Sequence, residues 1–324
     1  MQVDFVPPSK ITLLGINVLF FNCIRNNLKS PVSGSVGYMN ISDYIYNMQP
    51  LTLAISPCPN DTFIFDALLH HKIDTEGLDF KLVFADVEQL NQAAFKEEYD
   101  ITKLSYHAYA YVSDKYILLR SGSALGTNCG PLLISKKELS EDSLKNASIA
   151  IPGKYTTANF LFSLKYPFAL HKTAVLFSEI EDGLLNATFD AGVIIHENRF
   201  TYAAKGLKKI IDLGEYWEQT YKVPIPLGGI AMRRTASKEL QLAVERIIRR
   251  SIEFAFAHPQ SSSDFVQAHS QEMSVDVCRQ HIELYVNKYS IQLGFDGELA
   301  VNTLYKIAQE NNIIPDLTYP IFAG

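Results

Sequence analysis

The chain has 324 residues and a mass of 36.4 kDa, enough for two domains of ordinary size, with the 47% apolar and 20% charged content typical of globular proteins. Its formal net charge of −6 and its scattered Lys and Arg residues argue against nucleic acid as a partner. The four cysteines and eight histidines show neither metal-type nor disulfide-type spacing, so the sequence predicts no metal, free thiols and a cytoplasmic location.

The first 48 residues differ from the rest of the chain. Residues 11–24 form an apolar run of 14 residues, which is too short to span a membrane, so no membrane association is predicted. Two interpretations stay open: the run is the core of a secretory leader, or translation begins later, at Met39 or Met48. The poorly basic start and the missing small-residue cleavage site favour the second. Residues 1–48 are therefore expected to be a disordered extension or the result of an early start codon.

From Leu51 onward, predicted strands and helices alternate, which indicates an α/β protein with mainly parallel sheets. The first unit is predicted to contain strands over 51–55, 80–85, 99–105 and 116–120, and helices over 62–71, 87–96 and 106–112. The second is predicted to contain strands over 131–135, 147–152, 174–177, 191–196 and 210–212, and helices over 156–164, 180–187 and about 200–205. A rigid, proline-containing stretch over 223–232 that enters a strand and a mostly helical segment over 237–311 complete the pattern. These helices are expected to pack on the first unit without lining a site.

This order predicts two α/β lobes joined by two crossing segments. Lobe 1 is expected to comprise residues 49–131 and 225–324, and lobe 2 residues 132–224. The arrangement is that of a type II periplasmic-binding-protein-like fold, which holds its ligand between the lobes. The fold alone does not identify a function.

The run from Ser56 to Phe63 is a stiff corner between a predicted strand and a predicted helix. Its two prolines fix φ, and Asn60, Asp61 and Thr62 are residue types that cap helix N-termini. In an open α/β sheet such a corner faces the ligand crevice, so the run is either one wall of a cleft or a capped turn without a ligand. Cys58 is not predicted to be a nucleophile, because the sequence indicates no histidine partner for it.

His196 ends the apolar run 191–195, and a strand there would carry its imidazole to the edge of the sheet. The ordinary pKa of histidine suits a general base at neutral pH, although a structural histidine at a strand end is the other interpretation. Glu197, the next residue on an extended chain, is predicted to point to the opposite face.

Two further pairs offer either ligand contacts or ordinary structure. Thr156 and Thr157 open a predicted helix, where they could bind a carboxylate or simply cap the helix. Lys103 and Ser105 share one face of a predicted strand, where they could bind an anion, although an exposed lysine is commonly just solvated.

Four ring-bearing residues and two glycines leave similar alternatives. The residues Tyr106, His107, Tyr109 and Tyr111 have helical spacing, which fits a core at least as well as ring stacking on a ligand. Gly228 and Gly229 would allow close approach of the backbone to a ligand, or a hinge.

Six runs taken together resemble the 1,4-dihydroxy-6-naphthoate synthase family of the futalosine route to menaquinone. They occur in the family's order and are 56–63, Lys103-Leu104-Ser105-Tyr106-His107-Ala108, 130–133, Thr156-Thr157-Ala158-Asn159, 193–197 and 226–230. The resemblance extends from Leu51 to about Leu317. It implies a two-lobed binding-protein fold that serves as an enzyme.

The resemblance also implies a reaction and a site. The family is a carbon–carbon lyase that opens cyclic dehypoxanthinylfutalosine without metal or other cofactor, so the implied partner is a small-molecule substrate bearing an aromatic carboxylate. It implies His196 as the base. The residues implied in substrate binding are Lys103, Leu104, Ser105, Thr156, Thr157, Ala158, Asn60, Asp61, Thr62, Gly228 and Gly229.

Two alternatives remain at this point. One is a solute-binding protein for a small aromatic carboxylate, which would require export. The other is chorismate dehydratase, the sister enzyme on the same fold, which is not expected to carry the 56–63 run. The sequence leaves the oligomeric state open, a homodimer included.

Overall fold

The computed structural model describes residues 49–270 and 274–324. The predictions made for residues 1–48 lie outside the described residues. Within these two ranges, no helix is both long enough and apolar enough to cross a membrane.

The first sheet contains six strands in the described part of the chain. They are Leu51–Ile55 (β1), Phe80–Phe84 (β2), Ile101–Ser105 (β3), Tyr116–Leu118 (β4), Ala124–Gly126 (β5) and Ile225–Arg233 (β11). The order is β2-β1-β3-β11-β4, and β5 pairs with β11. Since β1 is parallel to both β2 and β3, the carboxyl ends of β1 and β3 meet at one edge of the sheet. This edge brings the 56–63 corner next to Ser105.

The second sheet contains five strands in the same described ranges. They are Leu132–Ser135 (β6), Ile149–Ile151 (β7), Lys172–Ala174 (β8), Ala191–Ile194 (β9) and Lys208–Asp212 (β10), in the order β10-β6-β9-β7-β8. Strand β7 is parallel to β8 and β9, whereas β6 and β10 run antiparallel to their neighbours. The carboxyl ends of β7 and β9 therefore share an edge, from which the chain continues to Thr156 and to His196.

Helices connect and cover these strands. They are Pro59–Leu69 (α1), Val87–Phe95 (α2), Tyr106–Tyr109 (α3), Thr157–Lys165 (α4), Ile180–Leu185 (α5), Asn198–Thr201 (α6), Leu213–Tyr221 (α7), Lys238–Ala257 (α8), Ser263–His269 (α9), Val275–Tyr285 (α10), Lys288–Ile291 (α11) and Gly294–Glu310 (α12). Short 3₁₀ turns occur at Glu141–Lys145, Phe177–Glu179 and Tyr202–Lys205.

Helix α1 is held firmly in the core of the first sheet's layer. It packs against α8, α9 and α10, and its side chains are buried along nearly its whole length. The Ser251 hydroxyl of α8 donates to Ile64 O at 2.6 Å and accepts from Leu68 N at 3.1 Å. This packing fixes the helix that carries Asn60 and Asp61.

The alternation predicted from the sequence is present, and its errors have identifiable causes. The predicted strand 174–177 is instead Lys172–Ala174, which the pattern hides because β8 lies at the edge of its sheet and its residues are partly exposed. The single helix expected over 281–289 ends at Tyr285, since Asn287 caps a separate short helix. Strands of the first sheet lie within 49–131 and 225–324, and those of the second within 132–224, but the lobe boundaries themselves remain a prediction.

Candidate active site

A cavity of about 690 Å³, its open mouth included, is lined by residues from the carboxyl edges of both sheets. The predicted site residues that line it are Asn60, Asp61, Lys103, Leu104, Ser105, Thr156, Thr157, Ala158, His196 and Gly228. Thr62 and Gly229 are not among the lining residues: the Thr62 hydroxyl donates to Cys58 O, and a Cβ at Gly229 would meet the Tyr106 hydroxyl. The cavity thus gathers residues from all six runs singled out by the sequence, while the roles of these residues remain predictions.

Asp61 organises the 56–63 corner. Its carboxylate accepts hydrogen bonds from the backbone and hydroxyl of Ser56 at 3.2 and 2.7 Å and from Asn60 Nδ2 at 2.8 Å. The prediction that Asn60, Asp61 and Thr62 cap α1 is wrong, because the helix begins at Pro59 with Cys58 at the N-cap and without a side-chain cap. Pro59 at the first helical position has no N–H to satisfy, so the side chains of Asn60 and Asp61 are left for the cavity.

Lys103 completes this corner from β3. Its ammonium donates to Asp61 Oδ1 at 2.8 Å and to Gly122 O at 3.3 Å, and its side chain is only 9% exposed. The solvated surface lysine considered from the sequence is therefore excluded. A buried ammonium needs such a partner, because an unpaired charge in a low-dielectric interior is costly.

Ser105 is held by Asn91, a residue that no sequence pattern singles out. Asn91 Nδ2 donates to Ser105 Oγ at 3.1 Å, and Ser105 N donates to Asn91 Oδ1 at 3.0 Å. Asn91 is fully buried in α2, whose amphipathic spacing gave no sign of a polar anchor. Since its Oγ already accepts from Asn91, the Ser105 hydroxyl keeps its hydrogen for a group in the cavity.

The two threonines of the second sheet divide their tasks. Thr156 is the N-cap of α4: its hydroxyl accepts from Asn159 N at 3.2 Å and donates to Gly153 O. The Thr157 hydroxyl donates to Leu227 O at 2.6 Å. The backbone N–H groups of Thr157 and Ala158 belong to the first turn of α4, where no intrahelical acceptor is within reach. They are well placed to donate hydrogen bonds to a negatively charged group in the cavity.

The threonine corner is docked onto residues of the first sheet's layer. His107 Nδ1 lies 3.2 Å from Thr156 O, and it must donate because a carbonyl only accepts. On the other side, the Glu88 carboxylate accepts from Tyr155 N at 3.1 Å. These contacts bring the carboxyl edges of the two sheets together around the cavity. Tyr106 and Tyr109 are buried and do not line the cavity, as the core interpretation predicts.

His196 does not continue strand β9, which ends at Ile194. Its φ of 57° lies in the left-handed region, which non-glycine residues seldom adopt and which is common at functional sites. Phe177 packs on the imidazole with a centroid separation of 4.8 Å, and His281 stacks on it at 6.0 Å. Burial lowers the pKa of His196 to about 4, with Asp61 raising it and Lys103 lowering it less strongly, so the ring is neutral at pH 7.

The left-handed turn at His196 overturns two predictions. Glu197 does not point to the opposite face, because strand alternation no longer applies after Ile194. Cys58 does have a histidine neighbour, since its Sγ lies 3.4 Å from His196 Nδ1. Ligand atoms of Cys58, His196 and Glu197 all lie within 4.8 Å of one another. The thiol is nevertheless a poor nucleophile, because burial raises the pKa of Cys58 well above its ordinary value and keeps it protonated.

Helix α10 also reaches the cavity, contrary to the expectation that the C-terminal helices only pack. His281 and Tyr285, one turn apart, both line it. His281 Nε2 donates to Asn60 Oδ1 at 3.0 Å, and its Nδ1 lies 3.6 Å from Glu197 Oε2. Burial, together with His196 and Lys103, holds the pKa of His281 well below its ordinary value. Two ring-bearing polar residues on the buried face of one helix were the signal available in the sequence.

The buried His107 is expected to make the protein less stable as the pH falls below about 6.5. Burial lowers the pKa of His107 to about 4, so the unfolded chain takes up a proton that the folded chain excludes between these pH values. The contribution is about 1.4 kcal/mol per pH unit, or roughly 3 kcal/mol in all. Urea unfolding of wild type and His107→Asn at pH 7, 6 and 5 measures it, since Asn keeps a donor for Thr156 O but does not titrate.

The His107→Asn variant should therefore show a shallower decrease in unfolding free energy with falling pH. The exposed His258→Asn serves as the matched control and should retain the wild-type slope. Equal slopes for wild type and His107→Asn would contradict the prediction.

The chain is similar to known proteins over most of its length. The model of a family described as menaquinone biosynthesis matches residues 51–310. A 1,4-dihydroxy-6-naphthoate synthase of Thermus thermophilus is 41% identical over 275 residues, covering 85% of this chain and all of the relative. A crystal structure of a protein from Archaeoglobus fulgidus superposes with a TM-score of 0.77 at 36% identity, covering 82% of this chain and 98% of that one.

A more distant structure bears on the fold alone. The periplasmic aliphatic sulphonate binding protein of Escherichia coli gives a TM-score of 0.57 at 10% identity, covering 82% of this chain and 89% of that one. The predicted periplasmic-binding-protein-like α/β fold is thereby confirmed.

Proposed function

The chain belongs to the menaquinone-biosynthesis family, and we propose that it is a carbon–carbon lyase that converts cyclic dehypoxanthinylfutalosine to 1,4-dihydroxy-6-naphthoate. The relatives' name supports an enzyme of this kind. The reaction requires removal of a proton from a carbon next to a ketone, followed by an elimination that yields the aromatic ring. It therefore calls for a neutral base, a largely apolar pocket for a ring and a clamp for its carboxylate.

The observation that carries the proposal is the state of His196. It lines the cavity, and its buried Nε2 has no hydrogen-bond partner among the described residues. Because its pKa is lowered to about 4, the ring is neutral and able to accept a proton. A lone pair on Nε2 requires the hydrogen on Nδ1, and that hydrogen points to Cys58 Sγ. Cys58 thus acts as a positioning residue that selects the reactive tautomer.

A bound substrate would make His196 a stronger base. A carboxylate in the cavity places a negative charge near the imidazole, and such a charge favours the imidazolium, as Asp61 already does. The pKa of His196 therefore rises toward neutrality when the substrate binds, which is the range where a general base is most effective.

The substrate carboxylate would lie between the two sheets. The donors available to it are the Ser105 hydroxyl and the backbone N–H groups of Thr157 and Ala158. Two backbone donors at a helix N-terminus can bind an anion without a positively charged side chain. The apolar walls beside them, formed by Val87, Ala124, Pro131 and Leu227, fit an aromatic ring.

Turnover of the proposed substrate tests the function directly. The full chain is incubated with cyclic dehypoxanthinylfutalosine, and the naphthoate product is detected by mass spectrometry. Parallel incubation with chorismate tests the sister reaction. We expect 1,4-dihydroxy-6-naphthoate from the first substrate and no change in the second. Folded protein that binds the futalosine derivative but forms no naphthoate would instead indicate a binding protein.

A further inference from the structure

We propose that Cys58, His196 and Glu197 form a site for a thiophilic divalent metal ion such as Zn²⁺, and that the bound ion switches off His196 as a base. No spacing in the sequence indicates such a site, because Cys58 lies 138 positions before His196. The metal-binding part stands on geometry alone, whereas the inhibition rests on the proposed function.

The three side chains match the ligand set of a zinc site, and one pair of them already has the spacing of two zinc ligands. Thiolate, imidazole and carboxylate are all zinc ligands, at metal–ligand distances of about 2.0–2.3 Å. Tetrahedral placement at those distances puts sulfur and nitrogen about 3.5 Å apart. The observed separation between Cys58 Sγ and His196 Nδ1 is 3.4 Å, and the Glu197 carboxylate completes a set within 4.8 Å. Three protein ligands leave a fourth position for water.

An ion can reach the site without passing through the substrate cavity. A second cavity of about 570 Å³, its open mouth included, is lined by Cys58, His196, Asp86 and Ser178, among others. Cys58 does not line the first cavity, whereas His196 lines both. Metal and substrate would therefore approach the two nitrogens of one imidazole from different sides.

Charge also favours the ion. The Cys58 thiol is buried, and the Glu197 carboxylate lies within 4.8 Å of it. Zn²⁺ displaces the thiol proton to solvent, and the resulting thiolate and carboxylate together neutralise the ion. One proton is released for each ion bound.

Metal binding removes the lone pair that catalysis needs. A neutral imidazole has one hydrogen and one lone pair, and coordination at Nδ1 uses the lone pair there. The hydrogen on Nδ1, which otherwise forms a hydrogen bond to the Cys58 sulfur, must then move to Nε2. His196 Nε2 becomes a donor and can no longer take a proton from the substrate. The ion thus inhibits while the substrate cavity stays open.

Direct titration with Zn²⁺ tests the site. Metal-free full-length protein is titrated against a chromophoric chelator, in wild type, Cys58→Ser and Cys129→Ser. We expect one high-affinity ion per wild-type chain and a loss of affinity of at least about 100-fold in Cys58→Ser, because a ligand is lost and not merely an outer-shell partner. Cys129→Ser is the matched control, since Cys129 is equally buried but outside the ligand set.

Two further measurements keep the test decisive. Co²⁺ in place of Zn²⁺ should give thiolate charge-transfer absorption in wild type but not in Cys58→Ser, and Glu197→Gln should also weaken binding. Zn²⁺ affinity that is unchanged in folded Cys58→Ser, or the absence of a high-affinity ion in wild type, would overturn the proposed site. These measurements need no substrate, so they are independent of the proposed function.

Steady-state kinetics tests the inhibition. Zn²⁺ should lower kcat and leave KM unchanged within roughly twofold, because it acts at Nδ1 and not in the substrate cavity. A rise in KM at constant kcat would overturn the tautomer mechanism. The absence of turnover by metal-free enzyme would refute the proposed function and leave the titration result standing.

Discussion

Replacement of His196 by Gln is expected to lower kcat by about 10²- to 10⁴-fold, with KM changed by less than roughly tenfold. Glutamine approximates the size of the imidazole but cannot accept a proton from carbon. The donors proposed for the substrate carboxylate lie on other residues, so binding should survive. Steady-state kinetics at pH 7 with detection of the naphthoate product measures both constants.

Two companion variants sharpen this result. His196→Ala leaves space for a small base, so added imidazole should restore part of kcat if the missing group is a proton acceptor. The exposed His258→Gln is the matched control and should leave both constants unchanged. Near-normal kcat in His196→Gln would assign the base to another residue, and a large rise in KM alone would assign His196 to binding.

Most of the site residues were implied by the resemblance of six runs to a known family, and the parallel strands explain why those runs meet. Ser105 follows β3 and the 56–63 corner follows β1, and the parallel pairing of these two strands brings both to one edge of the sheet. Thr157 and His196 lie beyond the carboxyl ends of β7 and β9, which are also parallel, so they too lie at one edge. Such predictions depend on chain order and strand polarity, which apolar patterning reveals.

The remainder depends on single backbone angles and distant partners. The φ of 57° at His196 turns Glu197 toward Cys58, and no residue pattern specifies that angle for a histidine. Asn91 and His281 approach the site from helices whose periodicity reports only which face is buried. Local sequence therefore predicted which strand ends matter, whereas tertiary packing decided which side chains meet there.

Breaking the buried ion pair of Lys103 and Asp61 is expected to lower the stability of the protein more than the loss of any other charge interaction in this cleft. Lys103→Met should lower the free energy of unfolding by about 3 kcal/mol, because it leaves the Asp61 carboxylate buried without its cation. The two side chains are 9% and 1% exposed, and their charged atoms are 2.8 Å apart. Hydrogen bonds from Ser56 and Asn60 to Asp61 remain and keep the loss from being larger.

Urea unfolding followed by circular dichroism measures this loss. The chain offers as a control a second ion pair with the same distance between its charged atoms but with exposed side chains. Lys208 and Glu138 also pair at 2.8 Å, but their side chains are 52% and 87% exposed. Lys208→Met should leave the unfolding midpoint nearly unchanged, because solvent screens an exposed pair. The double variant Lys103→Met/Asp61→Asn should recover part of the stability lost in Lys103→Met, since no buried charge is then left unpaired. Equal losses of unfolding free energy in Lys103→Met and Lys208→Met would show that burial of an ion pair does not govern its contribution to stability. In that case the corner that carries Asn60 and Asp61 would be held in place by the packing of α1.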